Sequence, residues 1–144
     1  MGLKELYHSG MGYEPLVMTR DWQVAQLNYA PEQEPDALTM LDQHDFTDET
    51  FTPLEGRALL ITYDTEEKNA ELTPLKPGIT YNVPVRVWHN IAMEKGSKVI
   101  ITEGRDAHVK GCVQISMPEE VREEVISYTK AHWRSLAEAI GNRD

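Results

Sequence analysis

The chain is poor in cysteine, in basic residues and in long apolar runs, and each shortage excludes something. Its 144 residues include one cysteine, Cys112. That rules out an intramolecular disulfide and gives no sign of a secreted disulfide scaffold; the expectation for such a thiol is a buried, unreactive side chain. Lys and Arg number 14 against 24 Asp and Glu, a formal net charge of −10. Binding phosphates needs clustered cations, so neither nucleic acid nor an anionic membrane surface is an expected partner. The acidic residues are spread over several segments and read as solvated surface. No run reaches the roughly 18 apolar residues of a membrane-spanning helix. A basic start followed by an apolar stretch is missing near Met1, so no signal peptide is expected and the expected compartment is the cytoplasm. Neither an internal repeat nor a low-complexity segment is present.

What is there fits an ordered, turn-rich globule: 40% hydrophobic residues with 8 prolines and 9 glycines, in a length that suits one domain, residues 1–144. Residues 1–12 are weakly patterned, with Leu3, Leu6 and Tyr7 on one possible helical face that Gly10 and Gly12 would end. Strands are expected at Tyr13 to Arg20 and at Trp22 to Tyr29, where Gln23 and Gln26 interrupt the alternation. A loop with two prolines follows to Asp36. Further strands are expected at Ala37 to Phe46, Glu49 to Leu54, Arg57 to Asp64, Leu72 to Leu75, Thr80 to Val83, Val85 to Met93 and Lys98 to Glu103. Arg57 to Asp64 is apolar on both faces and should be central. Asp106 to Ser116 reads as irregular, with a final strand near Val113. Short strands separated by turn residues argue an antiparallel sandwich or barrel of about 13–115. A helix of about 117–140 closes the chain, with Ser116 as cap, Glu119 three residues on and Gly141 as stop. Val121, Val125, Tyr128, His132, Leu136 and Ile140 keep helical spacing.

Two stretches carry candidate chemistry. The first runs from Asp42 to Gly56. Asp42 and His44 are two apart and share a face of a strand. Glu49 is out of phase with His44 unless a bulge or tight turn at Thr47-Asp48 restores it, and Glu49, Phe51 and Pro53 then lie together. The second stretch, Gly78 to His89, ends in another histidine. Two imidazoles and a carboxylate with positions left open suit non-haem Fe(II), and also Zn, Ni, Cu or Mn. Asp42 is a candidate fourth ligand.

These stretches resemble the paired motifs of the cupin superfamily. The first family motif reads G-x5-H-x-H-x3-4-E-x6-G, and His44, Glu49 and Gly56 fall on it. The second reads G-x5-P-x-G-x2-H-x3-N, and Gly78, Pro84 and His89 fall on that. Asp36 stands at the first glycine, Asp42 at the first histidine, Arg86 at the second-motif glycine and Met93 at the asparagine. The resemblance implies a mainly β fold, an antiparallel cupin-type jelly-roll barrel with the C-terminal helix outside. It further implies a divalent metal (Fe, Mn, Zn or Ni) at His44, Glu49 and His89, with Asp42 coordinating or holding a metal-bound water. By family habit a homodimer is expected.

Around that site, Phe51 is in phase with Glu49 and is the expected aromatic of the cavity. Val87 and Ile91 share the face of His89, with Trp88 on the other face. Tyr63 and Tyr81 are candidate general acids if they face inward, Glu103 is a candidate second carboxylate, and Arg86 could reach over the mouth toward an anionic substrate. His8, His108 and His132 are given no role in the site. The expected partner is a small polar or anionic molecule. Three functions stay open: a metalloenzyme, a non-catalytic binding barrel, and a metal-free acid–base enzyme such as a carbohydrate epimerase. One fold hosts all three.

Overall fold

The computed structural model describes residues 2–134. Ten strands form two five-stranded antiparallel sheets. The strands are β1 (Gly12–Met18), β2 (Trp22–Asn28), β3 (Met40–His44), β4 (Glu49–Glu55), β5 (Ala58–Asp64), β6 (Asn69–Pro74), β7 (Tyr81–Val83), β8 (Trp88–Met93), β9 (Lys98–Gly104) and β10 (Cys112–Ser116), and α1 (Glu119–Thr129) follows. One sheet has the order β1-β2-β9-β4-β7 and the other β10-β3-β8-β5-β6. The expected sandwich is therefore present. The irregular stretch after Asp106 ends in a full strand that pairs along β3, Cys112 opposite His44 and Ser116 opposite Met40.

Side-chain alternation sorts the apolar residues into two layers. Between the sheets lie Leu27, Phe51, Val99 and Ile101 from the first, and Leu60, Ile91 and Met93 from the second. On the far face of the second sheet, Leu41, Leu59, Ile61 and Ala92 pack under Val121 and Val125 of α1 and under Trp133. The second sheet is thus covered on both sides, which is why Ala58-Leu59-Leu60-Ile61 reads as an unbroken apolar run and is buried throughout.

The start of the chain and the start of the helix differ from expectation. Residues 2–9 form no helix. Their end is held along β2, where Asn28 Nδ2 donates to the carbonyls of His8 and Gly10 at 2.8 Å each. Ser116 does not cap α1, because it is the last residue of β10; Pro118 occupies the cap position without a side-chain bond. The carbonyl of Pro118 instead accepts from Val121 N and Arg122 N, and Glu119 and Glu120 face the positive end of the helix dipole. Past Thr129 the chain makes one wider turn, Lys130–Arg134. The expected continuation through Leu136 to Ile140 and the stop at Gly141 lie outside the described residues.

Gly56, which closes β4, has φ +80°, and a Cβ placed on it would stand 2.5 Å from Ser97 Cα. Gly96 has φ +90° with nothing within 4 Å. The two glycines therefore make separable demands, one steric and conformational, the other conformational only. Gly56→Ala should lower the unfolding free energy by about 3 kcal/mol, as strain and overpacking add, and Gly96→Ala by about 1 kcal/mol. Chemical denaturation of the two variants checks this; equal losses would contradict it.

Candidate functional site

His44 ends β3 in one sheet and Glu49 begins β4 in the other. The intervening turn is not a bulge that re-phases one strand, as expected from the sequence, but the crossing between sheets. The two side chains consequently face each other across the interior. His89 comes from β8, where Asp42 of β3 is its cross-strand partner. Both imidazoles converge on one carboxylate oxygen: His44 Nε2 and His89 Nε2 each lie 2.9 Å from Glu49 Oε1. All three side chains are buried, and their nearest ligand-type atoms lie within 4.8 Å of one another. Phe51 sets its ring edge against His89 at 6.0 Å between centroids.

The hydrogen atoms of this group can be assigned from its partners. His89 Nδ1 lies 2.9 Å from the carbonyl of Val87, so Nδ1 carries a hydrogen and donates it. The Nε2 of a neutral His89 is then a bare lone pair pointing at a carboxylate oxygen. That contact is favourable only with a cation, proton or metal, between them. His44 Nδ1 has no hydrogen-bond partner among the described residues.

The protonation equilibria follow. Glu49 raises His44 by hydrogen bond and charge, against the cost of burial. Burial opposes charge on His89, but Glu49 outweighs it and its pKa is raised too. Burial alone would push Glu49 up, yet hydrogen bonds from the two histidines hold it below the usual carboxylate range. Glu103 is the opposite case: burial, then the charge of Glu49, lift it to about 7.

Glu103 stands directly across from Glu49 in the β4–β9 pairing. Tyr13 donates its hydroxyl hydrogen to Glu103 Oε2. Gln23 Nε2 donates to the same hydroxyl at 2.8 Å and lies 2.9 Å from His108 Nδ1. Tyr13 and His108 stack with centroids 5.1 Å apart. Burial and then Glu103 raise the Tyr13 pKa, so it acts here as a donor. These residues share a cavity of about 240 Å³ with the histidines and Glu49.

Sequence reasoning missed Tyr13, Gln23 and His108. The one available signal was Gln23, a polar residue in an inward phase of an apolar strand, where it is fully buried. Cys112 was expected to be buried, yet it is exposed, at the rim of this cavity. Its cross-strand place on the edge strand β10 leaves it open, and partial burial followed by the charge of Asp42 raises its pKa.

The remaining expected residues separate. Phe51 and Glu103 line the cavity, as does Asp42. Asp42 is not one of the converging three, and its Oδ1 accepts from Gln114 at 2.7 Å. Tyr81 packs on the inter-sheet core from outside the cavity, and its hydroxyl accepts from Lys76 N at 3.0 Å. Tyr63 does not face inward: the alternation of β5 turns it to the helix side with Leu59 and Ile61. Arg86 does not cover the mouth. It is exposed, and it shares a separate surface groove with Tyr63. At φ 68° it adopts the left-handed conformation that glycine takes freely, and its backbone N–H donates to the His44 carbonyl at 2.8 Å.

No protein-family model and no curated protein matches the sequence. Solved structures do match. A cupin-2 domain protein from Shewanella frigidimarina superposes with a TM-score of 0.51 at 21% identity, over 69% of this chain and 85% of its own. A protein from Bacillus halodurans superposes with a TM-score of 0.53 at 16% identity, over 66% of this chain and 70% of its own. At these identities the likeness is one of fold.

The site sets a pH dependence for the metal-free protein. The histidines, raised from 6.5, give stability that is complete below that value and lost as pH rises through their folded pKa values. Glu103, raised from 4.5 to about 7, keeps in the folded state a proton that the unfolded chain releases, so stability falls with pH across that window as well. Glu49, lowered from 4.5, contributes above 4.5 and is lost only as pH falls below it. Thermal melts in chelator should therefore peak in mild acid and decline as pH rises through about 7, where Glu103 titrates, and on through the raised histidine pKa values. A profile that rises over that range would contradict the assignment.

Proposed function

The chain has the cupin fold, and from that premise we propose that His44, Glu49 and His89 hold one divalent metal ion at the floor of a cavity that receives a small polar molecule. The observation that carries this reading is the convergence of His44 Nε2 and His89 Nε2 on Glu49 Oε1 at 2.9 Å each, with His89 Nδ1 committed to the Val87 carbonyl, so that a neutral His89 presents its Nε2 lone pair to the carboxylate. A metal ion satisfies that pair and needs both groups deprotonated, as a ligand must be. The donor spacing fits as well. Two donors at right angles on a metal with bonds of about 2.1 Å stand about 3.0 Å apart.

In this reading the chain's residues divide the work. The Val87 carbonyl orients His89 and makes its Nε2 the better ligand. Phe51, Ile91 and Ile101 give the cavity apolar walls that limit water. Tyr13, oriented by Gln23, donates its hydrogen to Glu103 and fixes that carboxylate at the cavity wall. A bound metal would supply Lewis acidity or a binding place for oxygen. Lys and Arg are absent from the cavity lining among the described residues, so an anionic ligand would depend on the metal for its counter-charge. This favours a neutral polar molecule over the anionic one that Arg86 suggested.

A second reading, a metal-free acid–base enzyme, has its own support. Glu103 near 7 lies where a general acid or base is most effective, and Tyr13 is a hydrogen donor beside it.

Protein purified without chelator or a histidine tag should contain about one divalent metal per chain, and a His44→Ala/His89→Ala variant essentially none. Saturating metal at about 100 times its Kd should add about 2.7 kcal/mol to the stability of the first and nothing to the second. Elemental analysis with thermal melts reads both. If neither protein takes up Fe, Mn, Ni or Zn, the metal reading fails, and turnover that persists in chelator would establish the second.

A further inference from the structure

The geometry points to Glu103 as a fourth protein donor to the metal, in place of the histidine that the first motif lacks. This rests on the metal reading above and adds a ligand from a strand that neither motif reaches.

β9 alternates strictly, with Val99, Ile101 and Glu103 buried. The Glu103 side chain is 1% exposed. One of its oxygens, Oε2, is taken by Tyr13. The other, Oε1, has no hydrogen-bond partner among the described residues. It lies 3.4 Å from His44 Nε2. That is too long for a good N–H···O bond. It is within the span of two donors on one metal ion, which with bonds of about 2.1 Å runs from about 3.0 Å at a right angle to roughly 3.4 Å at the tetrahedral angle. Tyr13, itself held by Gln23, binds the other carboxylate oxygen, so the bare oxygen is aimed at the histidines rather than free to turn away.

Charge argues the same way. Glu49 and Glu103 are cross-strand neighbours facing one cavity, an arrangement that is unfavourable for like charges. A divalent cation between them cancels both. Asp42, which stands at the motif's first histidine, has an oxygen bound by Gln114. The replacement for the missing donor thus comes from β9. The set becomes two imidazoles and two carboxylates, weighted toward oxygen, which suits Mn(II) and Fe(II) better than soft metals.

The test is Mn(II) binding to the full chain by calorimetry, for wild type, Glu103→Gln, Tyr13→Phe and Asp42→Asn, with circular dichroism to verify folding. Loss of an outer partner costs about 10- to 100-fold in affinity, and loss of a ligand should exceed that. Glu103→Gln is therefore expected to weaken Mn(II) binding by more than about 100-fold, with Tyr13→Phe and Asp42→Asn staying within about 100-fold. Binding by Glu103→Gln within that limit, while wild type binds, overturns the inference and leaves the three-residue site standing. No binding by wild type overturns both. A crystal structure of the Mn(II)-soaked wild type decides without any substitution: a direct bond from Glu103 Oε1 supports the inference, and an intervening water or an empty approach refutes it.

Discussion

Everything near the cavity depends on one buried oxygen. Glu49 Oε1 receives two imidazole nitrogens, one from each side, at 2.9 Å. Burying a carboxylate is expensive unless it is paired and hydrogen-bonded. Glu49 meets that condition only if strands of both sheets are in register at once. His44 must arrive from β3, His89 from β8, and Glu49 from β4 in the opposite sheet. The fold is therefore committed to this geometry: sliding one strand by a residue turns its side chain to the other face and strands the charge. The same constraint explains a local oddity. Arg86 tolerates φ 68° because its N–H holds the carbonyl of His44, tying the turn before β8 to the end of β3. The backbone bond fixes the two histidine-bearing strands at the point where they approach.

The two sheets carry different burdens. The second is covered by α1 on one side and by the first sheet on the other, and its residues are apolar on both faces. The first has only one covered face along most of its length. It compensates in part with the segment ending at Gly10, whose carbonyls accept from Gln26 and Asn28 on the outer side of β2. This division places the cavity between a rigid wall and a more open one. His44 and His89 stand on the rigid wall, where small displacements are costly in a densely packed interior. Glu103, Tyr13 and Gln23 stand on the other, linked by hydrogen bonds instead of packing.

Much of this was legible in the residues, for reasons that can be stated. Strand positions follow from alternation and turn residues, which act locally. The approach of His44, Glu49 and His89 followed from motif spacing. Phe51 followed from its phase with Glu49. What was not legible needed long-range pairing. Tyr63 has an inward-looking aromatic character, but its face depends on α1 lying over β5. Arg86 looked like a substrate cation, but its backbone bond to His44 turns the side chain out to solvent. Tyr13 is 90 residues from Glu103 in the chain, and only the β1–β2–β9 order of the sheet brings it there, to stack on His108. Ser116 had every local mark of a helix cap and was claimed by β10 instead.

The difference from the family pattern then has a physical reading. Where the motif would place a histidine, Asp42 stands on a strand that β10 covers, and Gln114 of β10 holds its carboxylate. A carboxylate so held is poorly free to turn inward. Across the cavity, Glu103 has one oxygen fixed by Tyr13 and the other without a hydrogen-bond partner among the described residues. The polar capacity removed from one wall reappears on the other, with a change from a neutral donor to an anionic one. That change matters for any ligand. With no cation from Lys or Arg in the lining among the described residues, the charge that a ligand meets is set by the two carboxylates and by the protons or metal held between them and the histidines. In the metal reading, the bound ion would supply the positive charge that the polar end of a small molecule meets beside the histidines.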